Sequence, residues 1–298
     1  MGVTEAVIHP LEIGDDKTNW TYDELRQLQN WLEADGLQFS VLEGSVPLTD
    51  RIRLGLEGRD DDIEDFKTFI RNCGDLGIPV VCYDWMAGVR WARTGAHIES
   101  RGGSLVTGFD NAKIQGGPPV EAAEKSHEEI FDALAYFLEE VVPVAEESGV
   151  KLGLHPDDPP RETVRGVPRI ANSVENYDRI LDVVDSEHNG VTFCQGNFAA
   201  MGADIPETIE HFGDRINFIH FRDIEGDEDE FVETWHDDGP TDMHAAMAAY
   251  EEFVDDDVPM RPDHVPTMAD EDNSNPGYHT KGRLFAIGYM RGLLDSVE

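Results

Sequence analysis

Histidine, cysteine and carboxylate side chains recur in this chain at one kind of place, the end of an apolar run. "KLGLHPDDPP" ends its run at His155, "GVTFCQG" at Cys194, "INFIHFRD" at His220, and "VPMRPDH" at the adjacent Asp263 and His264. A lone cysteine of this kind is usually a small buried hydrophobe, and a lone histidine at a strand end is usually structural. Four separate run ends that each offer a metal-capable side chain point instead to a shared cation. Imidazole and thiolate together suit Zn2+, Fe2+, Co2+ or Mn2+ better than Mg2+. His155, Cys194 and His220 are the candidate ligands, and the fourth place is open to His264 or Asp263. Arg222 follows His220 by two, so both can project from one side of a strand end. Arg161 lies in the loop that the prolines of "HPDDPP" stiffen. Arginines at such a mouth imply a small anionic substrate such as a carboxylate, captured by bidentate contacts. Asp263 and Tyr278 add a carboxylate and a phenol, both candidates for general acid–base work.

The elements that must position these residues alternate strictly. Strand-like runs cover 5–10, 37–44, 78–84, 150–156, 190–196, 216–223 and 258–264. Amphipathic stretches separate them at 21–36, 62–77, 124–149, 173–187 and 242–254, and a last one closes the chain. Thr, Ser and Asp precede several of these stretches as N-caps, and Gly36, Gly77 and Gly149 end three of them. Alternating β and α segments mean parallel strands with crossover helices. No glycine-rich phosphate loop follows the first run, which argues against a doubly wound dinucleotide-binding sheet. Reactive residues at many strand ends are the signature of a TIM-type (β/α)8 barrel. With no linker or repeat, residues 1–298 form one barrel domain.

The charge balance bounds the partners. The 298 residues include 62 acidic and 23 basic side chains, a net charge of −39. Such a surface repels nucleic acid and anionic membrane, and neither is expected as a partner. Clusters such as "GRDDDIED" and "EGDEDEF" form a solvated acidic shell of the halophile kind, not binding sites. Cys73, Cys82 and Cys194 make no C-x-x-C pair. There is no signal peptide and no apolar run of membrane-spanning length, so a cytoplasmic protein with reduced thiols is expected. Self-repulsion in this shell is screened by salt. Melting temperature and activity are therefore expected to rise from dilute buffer to molar KCl. A melting temperature independent of salt would contradict the halophile reading.

Several stretches together resemble the mannonate dehydratase family. They are "GLHPDDPP", "FCQGN", "HFRD", "RPDH", "VCYDWMAGVRWART" at 81–94, and the terminal "GY" with "KGRLFAIGYMRGL". They occur in the family's order along nearly the whole chain. The resemblance implies a metal-dependent barrel of the xylose isomerase-like group. It further implies conversion of D-mannonate to 2-keto-3-deoxygluconate and water with Mn2+ or Fe2+, in a homodimer or higher oligomer. Carried over residue by residue, it makes His155, Cys194, His220 and His264 the ligands and Asp263 and Tyr278 the acid–base groups. Arg161, Arg222, Tyr83 and Arg93 are then expected to bind substrate. Family members begin with an extra strand and helix before "EAVIHP", and the count of seven strands agrees with a barrel short of its first βα unit. The region from Trp91 to about Lys125 is also abbreviated. A late start site would leave the function intact, whereas a shortened paralogue could have an open barrel or another substrate. Two competing readings are a sugar isomerase or epimerase on the same barrel, and a non-catalytic protein that keeps the metal for structure.

Overall fold

The computed structural model describes residues 2–8, 20–44, 46–114, 117 and 120–297. Seven parallel strands lie in chain order in one sheet: β1 (Glu5–Ile8), β2 (Gln38–Glu43), β3 (Val80–Asp84), β4 (Lys151–His155), β5 (Asn189–Cys194), β6 (Ile216–Phe221) and β7 (Met260–Pro262). All seven expected strands are present. The expected extension of the first to Pro10 falls outside the described residues. A helix follows each strand: α1 (Tyr22–Ala34), α2 (Arg59–Asp75), α3 (His127–Ser148), α4 (Val174–Leu181), α5 (Ile205–Phe212), α6 (Met243–Phe253) and α7 (Thr280–Val297). The sheet curls into a nearly closed barrel whose seam lies between β1 and β7. No helix among the described residues is long and apolar enough to cross a membrane.

Local chemistry fixes these boundaries. Thr21 with Glu24 and Ser126 with Glu129 form capping boxes that satisfy the first free N–H groups of α1 and α3. Asp204 and Asp242 cap α5 and α6. Gly149 ends α3 in a left-handed conformation, φ 66°, which costs glycine nothing. Helix α5 was not expected from the sequence: "IPETIEHF" is only two short amphipathic turns, with Pro206 in the first.

Alternation along the strands separates two cores. Val81, Tyr83, Leu152, Leu154, Val191, Phe193, Ile219 and Phe221 face outward and join the large core beneath the helices. Val41, Val80, Cys82 and Phe218 face inward and fill the barrel, with Val7 against them. The interior is tight. A Cβ at Gly153 would sit 2.5 Å from Thr192 Oγ1.

A second sheet was also not expected. Gly95–Glu99 and Leu105–Asp110, from the β3–α3 connection, pair antiparallel with Ile224–Gly226 and Glu230–Glu233, from the β6–α6 connection. A bridge between Leu105 and Thr267 ties in the loop after β7. Three loops at the C-terminal face are thus laced into one cap.

Candidate active site

Stepping by two along each strand from the interior core leads to one layer of polar residues at the strand ends. It comprises Glu43 on β2, Asp84 on β3, His155 on β4, Cys194 on β5 and His220 on β6, all buried. The register aligns them, with Asp84 opposite His155 and Cys194 opposite His220. One ligand atom each from His155, Cys194 and His220 lie within 4.8 Å of one another. His155 Nδ1 is 2.7 Å from the carbonyl oxygen of Pro156 and donates to it, which leaves the Nε2 lone pair free. His220 is fully buried, and neither ring nitrogen has a hydrogen-bond partner. Its Nε2 lies 3.3 Å from Glu43 Oε1 and its Nδ1 3.7 Å from Asp263 Oδ2. An orphaned buried imidazole costs roughly 1–3 kcal/mol. Two imidazoles, a thiol and carboxylates around that orphan fit a divalent cation of the borderline class.

Asp263, expected as an acid–base group, approaches the cluster more closely than His264, expected as a ligand. Both lie beyond the end of β7, so strand alternation no longer governs them. His264 adopts φ 43°, in the left-handed region uncommon for a non-glycine residue. The turn sends the Asp263 carboxylate toward the cluster, its Oδ2 4.0 Å from Cys194 Sγ. Neither Asp263 nor His264 belongs to the groups whose ligand atoms converge within 4.8 Å, and His264 turns to other partners. Its Nε2 is 3.3 Å from Tyr278 Oη, 3.4 Å from Asp263 Oδ2 and 3.4 Å from Arg93 Nη2. Electrostatics follow the same division. Burial alone would raise the Asp263 carboxyl, but the guanidinium groups of Arg261 and Arg222 hold it well below the usual range. Burial likewise opposes ionisation of Glu43, yet Arg261 and His220 hold its carboxyl well below the ordinary value. Burial depresses His264 well below an ordinary histidine, against the pull of Asp263, so its ring is neutral. Burial and Asp263 push the Tyr278 phenol well up, so it keeps its proton. A neutral imidazole and a protonated phenol therefore stand side by side at the edge of the cluster.

The arginines expected to bind substrate are engaged elsewhere. Arg222 is buried. It donates through Nε and Nη2 to Glu233 (3.0 and 2.9 Å) and through Nη1 to Asp158 (3.2 Å), Asn197 (3.0 Å) and Cys194 Sγ (3.2 Å). It braces the thiol and has no free arm. Residue 196 must be glycine, because a Cβ there would lie 2.8 Å from Arg222 Nε. Arg93 donates to Asp158 at 2.6 Å and to Glu233 at 2.9 Å. Arg161 pairs with Asp229 on the turn of the cap and is not brought to the cluster. Tyr83 points out of the barrel, 5.8 Å from the ring of Phe137 on α3, and cannot meet a ligand in the lumen.

The two aspartates of "HPDDPP" serve this framework. Asp157 accepts from the backbone N–H groups of Ile170 and Ala171 and faces Arg169. Asp158 joins Arg93 to Arg222. Removing Asp157 would leave the buried Arg169 guanidinium without its carboxylate, a change that costs about 3–5 kcal/mol, whereas on loss of Asp158 both Arg93 and Arg222 would keep Glu233. Four residues of the site were not anticipated from sequence: Glu43, Asp84, Glu233 and Arg261. Arg261 holds Glu43 and Asp263 at 2.8 Å each. Glu43 carried the same signal as His155, a charged residue ending an apolar run. Glu233 carried none, because it arrives on the cap. A cavity of about 920 Å³ opens beside the cluster. His155, His220, Asp263, His264, Tyr278 and Trp91 line it, and it continues through the seam between β1 and β7.

Comparison with known proteins agrees with this picture. A family model described as D-mannonate dehydratase (UxuA) matches residues 2–125 and 120–298. The chain is 34% identical to a mannonate dehydratase of Enterococcus faecalis over 314 residues, covering 94% of this chain and 87% of that protein. It is 35% identical to the Thermotoga maritima mannonate dehydratase, with the same coverage. The crystal structure of mannonate dehydratase from Streptococcus suis superposes with a TM-score of 0.90 at 30% identity, covering 99% of this chain and 94% of that one. A D-tagatose 3-epimerase-like protein, 17% identical with a TM-score of 0.62 over 93% of this chain and 84% of that one, shares the barrel fold alone. With the family model matched along nearly its whole length and relatives above 30% identity, the chain belongs to the D-mannonate dehydratase family.

Proposed function

We infer that the chain is a metal-dependent hydro-lyase that removes water from D-mannonate to give 2-keto-3-deoxy-D-gluconate. The observation that carries this reading is the pairing of a cation-binding donor set with His264 and Tyr278, a neutral base and a neutral acid at its edge. His155, Cys194, His220 and Asp263 would hold the cation, and Mn2+ or Fe2+ is the proposed metal. When bound, the metal supplies electrophilic stabilisation of the negative charge that develops as the C2 proton leaves. Glu43 and Arg261 position the donors: Glu43 faces the second nitrogen of His220, and Arg261 grips Asp263.

The chain's own residues move the protons. His264 accepts the C2 proton through Nε2. Tyr278 gives its hydroxyl proton to the departing C3 hydroxyl, which leaves as water. The enol that results gains a proton at C3 and loses its hydroxyl proton at C2, which gives the keto acid. His264 Nε2 and Tyr278 Oη lie 3.3 Å apart. The imidazolium can therefore return its proton to the phenolate and reset both groups in one transfer. The cap carries Glu233 to 3.9 Å from Nδ1 of His264, and Arg93, which Glu233 holds, lies 3.4 Å from Nε2.

The test is an assay of the full chain on D-mannonate with Mn2+ or Fe2+ in molar KCl. A 2-keto-3-deoxy acid is expected to accumulate as mannonate is consumed. Recovery of unchanged acid, or of a rearranged sugar acid that has lost no water, would refute the reading.

A further inference from the structure

Arginine recognises a carboxylate through paired N–H donors, so a site for a sugar acid needs one that is not already spent. Most of those near the cluster are neutralised by the protein itself. Arg93 and Arg222 share Asp158 and Glu233. Three described arginines line the cavity: Arg261, Arg283 and Arg291. Arg261 is held by Glu43 and Asp263, and Arg291 has a partner of its own. Arg283 differs. Among the described residues it forms no ion pair with a carboxylate, and its contact is with the face of the Tyr278 ring, 5.5 Å from Cζ to centroid. In a chain of 62 acidic and 23 basic residues an unpaired, cavity-lining guanidinium stands out.

We propose that Arg283 holds the substrate's carboxylate and so makes the site select a sugar acid over a neutral sugar. Arg283 lies in the first turn of α7, with its backbone N–H bonded to the carbonyl of His279. Its guanidinium is therefore presented from a fixed element. The Tyr278 ring is near both Arg283 and His264, at 5.5 and 5.1 Å from its centroid, so an acid gripped by Arg283 places its neighbouring carbons beside the proton-transfer pair. A protein this acidic repels anions at long range, and one unneutralised cation at the cavity wall gives the substrate a local well. The proposal rests on the mannonate reading above.

The test uses the full chain loaded with Mn2+, in molar KCl, as the parent, Arg283→Met and Arg283→Lys. Charge-assisted hydrogen bonds of this kind set the scale, and Arg283→Met is expected to raise KM for D-mannonate about 10- to 100-fold. Turnover should change little, because the contact is made equally in ground and transition states. Arg283→Lys should recover part of the loss. Calorimetric titration with D-gluconate, the C2 epimer that keeps the carboxylate, reads binding without turnover and should show the same order. If Arg283→Met binds D-gluconate as tightly as the parent, the proposal is overturned, whether or not the parent consumes mannonate. A fall in turnover with KM unchanged also overturns it, since that would mean Arg283 only props Tyr278. A parent that binds gluconate through Arg283 and leaves mannonate intact refutes the dehydratase reading while upholding this one.

Discussion

Asp263→Asn is expected to lose its divalent cation and all measurable turnover, while His264→Asn keeps the metal. The carboxylate of Asp263 is the one that approaches both Cys194 Sγ and His220 Nδ1. His264 instead turns toward Tyr278 and Arg93. Loss of groups that merely orient a ligand weakens metal affinity about 10- to 100-fold, and loss of a ligand should reach or exceed the top of that range. His220→Ala should behave like Asp263→Asn. Metal content of the purified variants, measured by mass spectrometry beside a circular-dichroism melt, separates loss of the ion from loss of the fold. The assignment fails if His264→Asn emerges without metal and Asp263→Asn retains it.

The second large effect lies in the proton-transfer pair. His264→Asn and Tyr278→Phe should each bind metal and lower kcat by roughly 10²–10⁴. The double variant should fall little below the poorer single, because the two act as one unit. Hydrogen exchange divides their roles. In D2O, Tyr278→Phe should still exchange the C2 hydrogen of mannonate for deuterium, since His264 remains, but it should release no water. His264→Asn should do neither. Exchange that survives in His264→Asn and vanishes in Tyr278→Phe would mean that the base is the tyrosine.

What the sequence disclosed about this site, and what it hid, follows from how far strand geometry reaches. His155, Cys194 and His220 were legible because each ends an apolar run, and parallel strands in register bring such ends together. Tyr83 was misassigned although the same alternation was available. Cys82 and Asp84 point inward, so the residue between them cannot. The order of Asp263 and His264 was hidden, because beyond the last strand residue one backbone angle, φ 43° at His264, decides which side chain faces the cluster. The fates of Arg93 and Arg222 were hidden for a different reason. Their partner Glu233 comes from a four-residue strand at the end of an acidic stretch, too short for its alternation to stand out in the sequence. The seven strands were plain from their apolar content, whereas the short polar strands of the cap were not.

The lacing of three loops into one cap bears on how such a protein can change over generations. In most barrels of this architecture the loops vary independently, and new specificities arise by altering one loop at a time. Here the β3–α3 and β6–α6 loops share a hydrogen-bonded ladder, and a bridge from Leu105 to Thr267 adds the loop after β7. Arg93 on the first loop meets Glu233 on the second and His264 on the third. A substitution in any one of them is felt at once by the other two, so the mouth is inherited as a single module. Exchanging one loop with a distant homologue should damage both the ladder and the buried charge pairs, whereas exchanging all three together should preserve them.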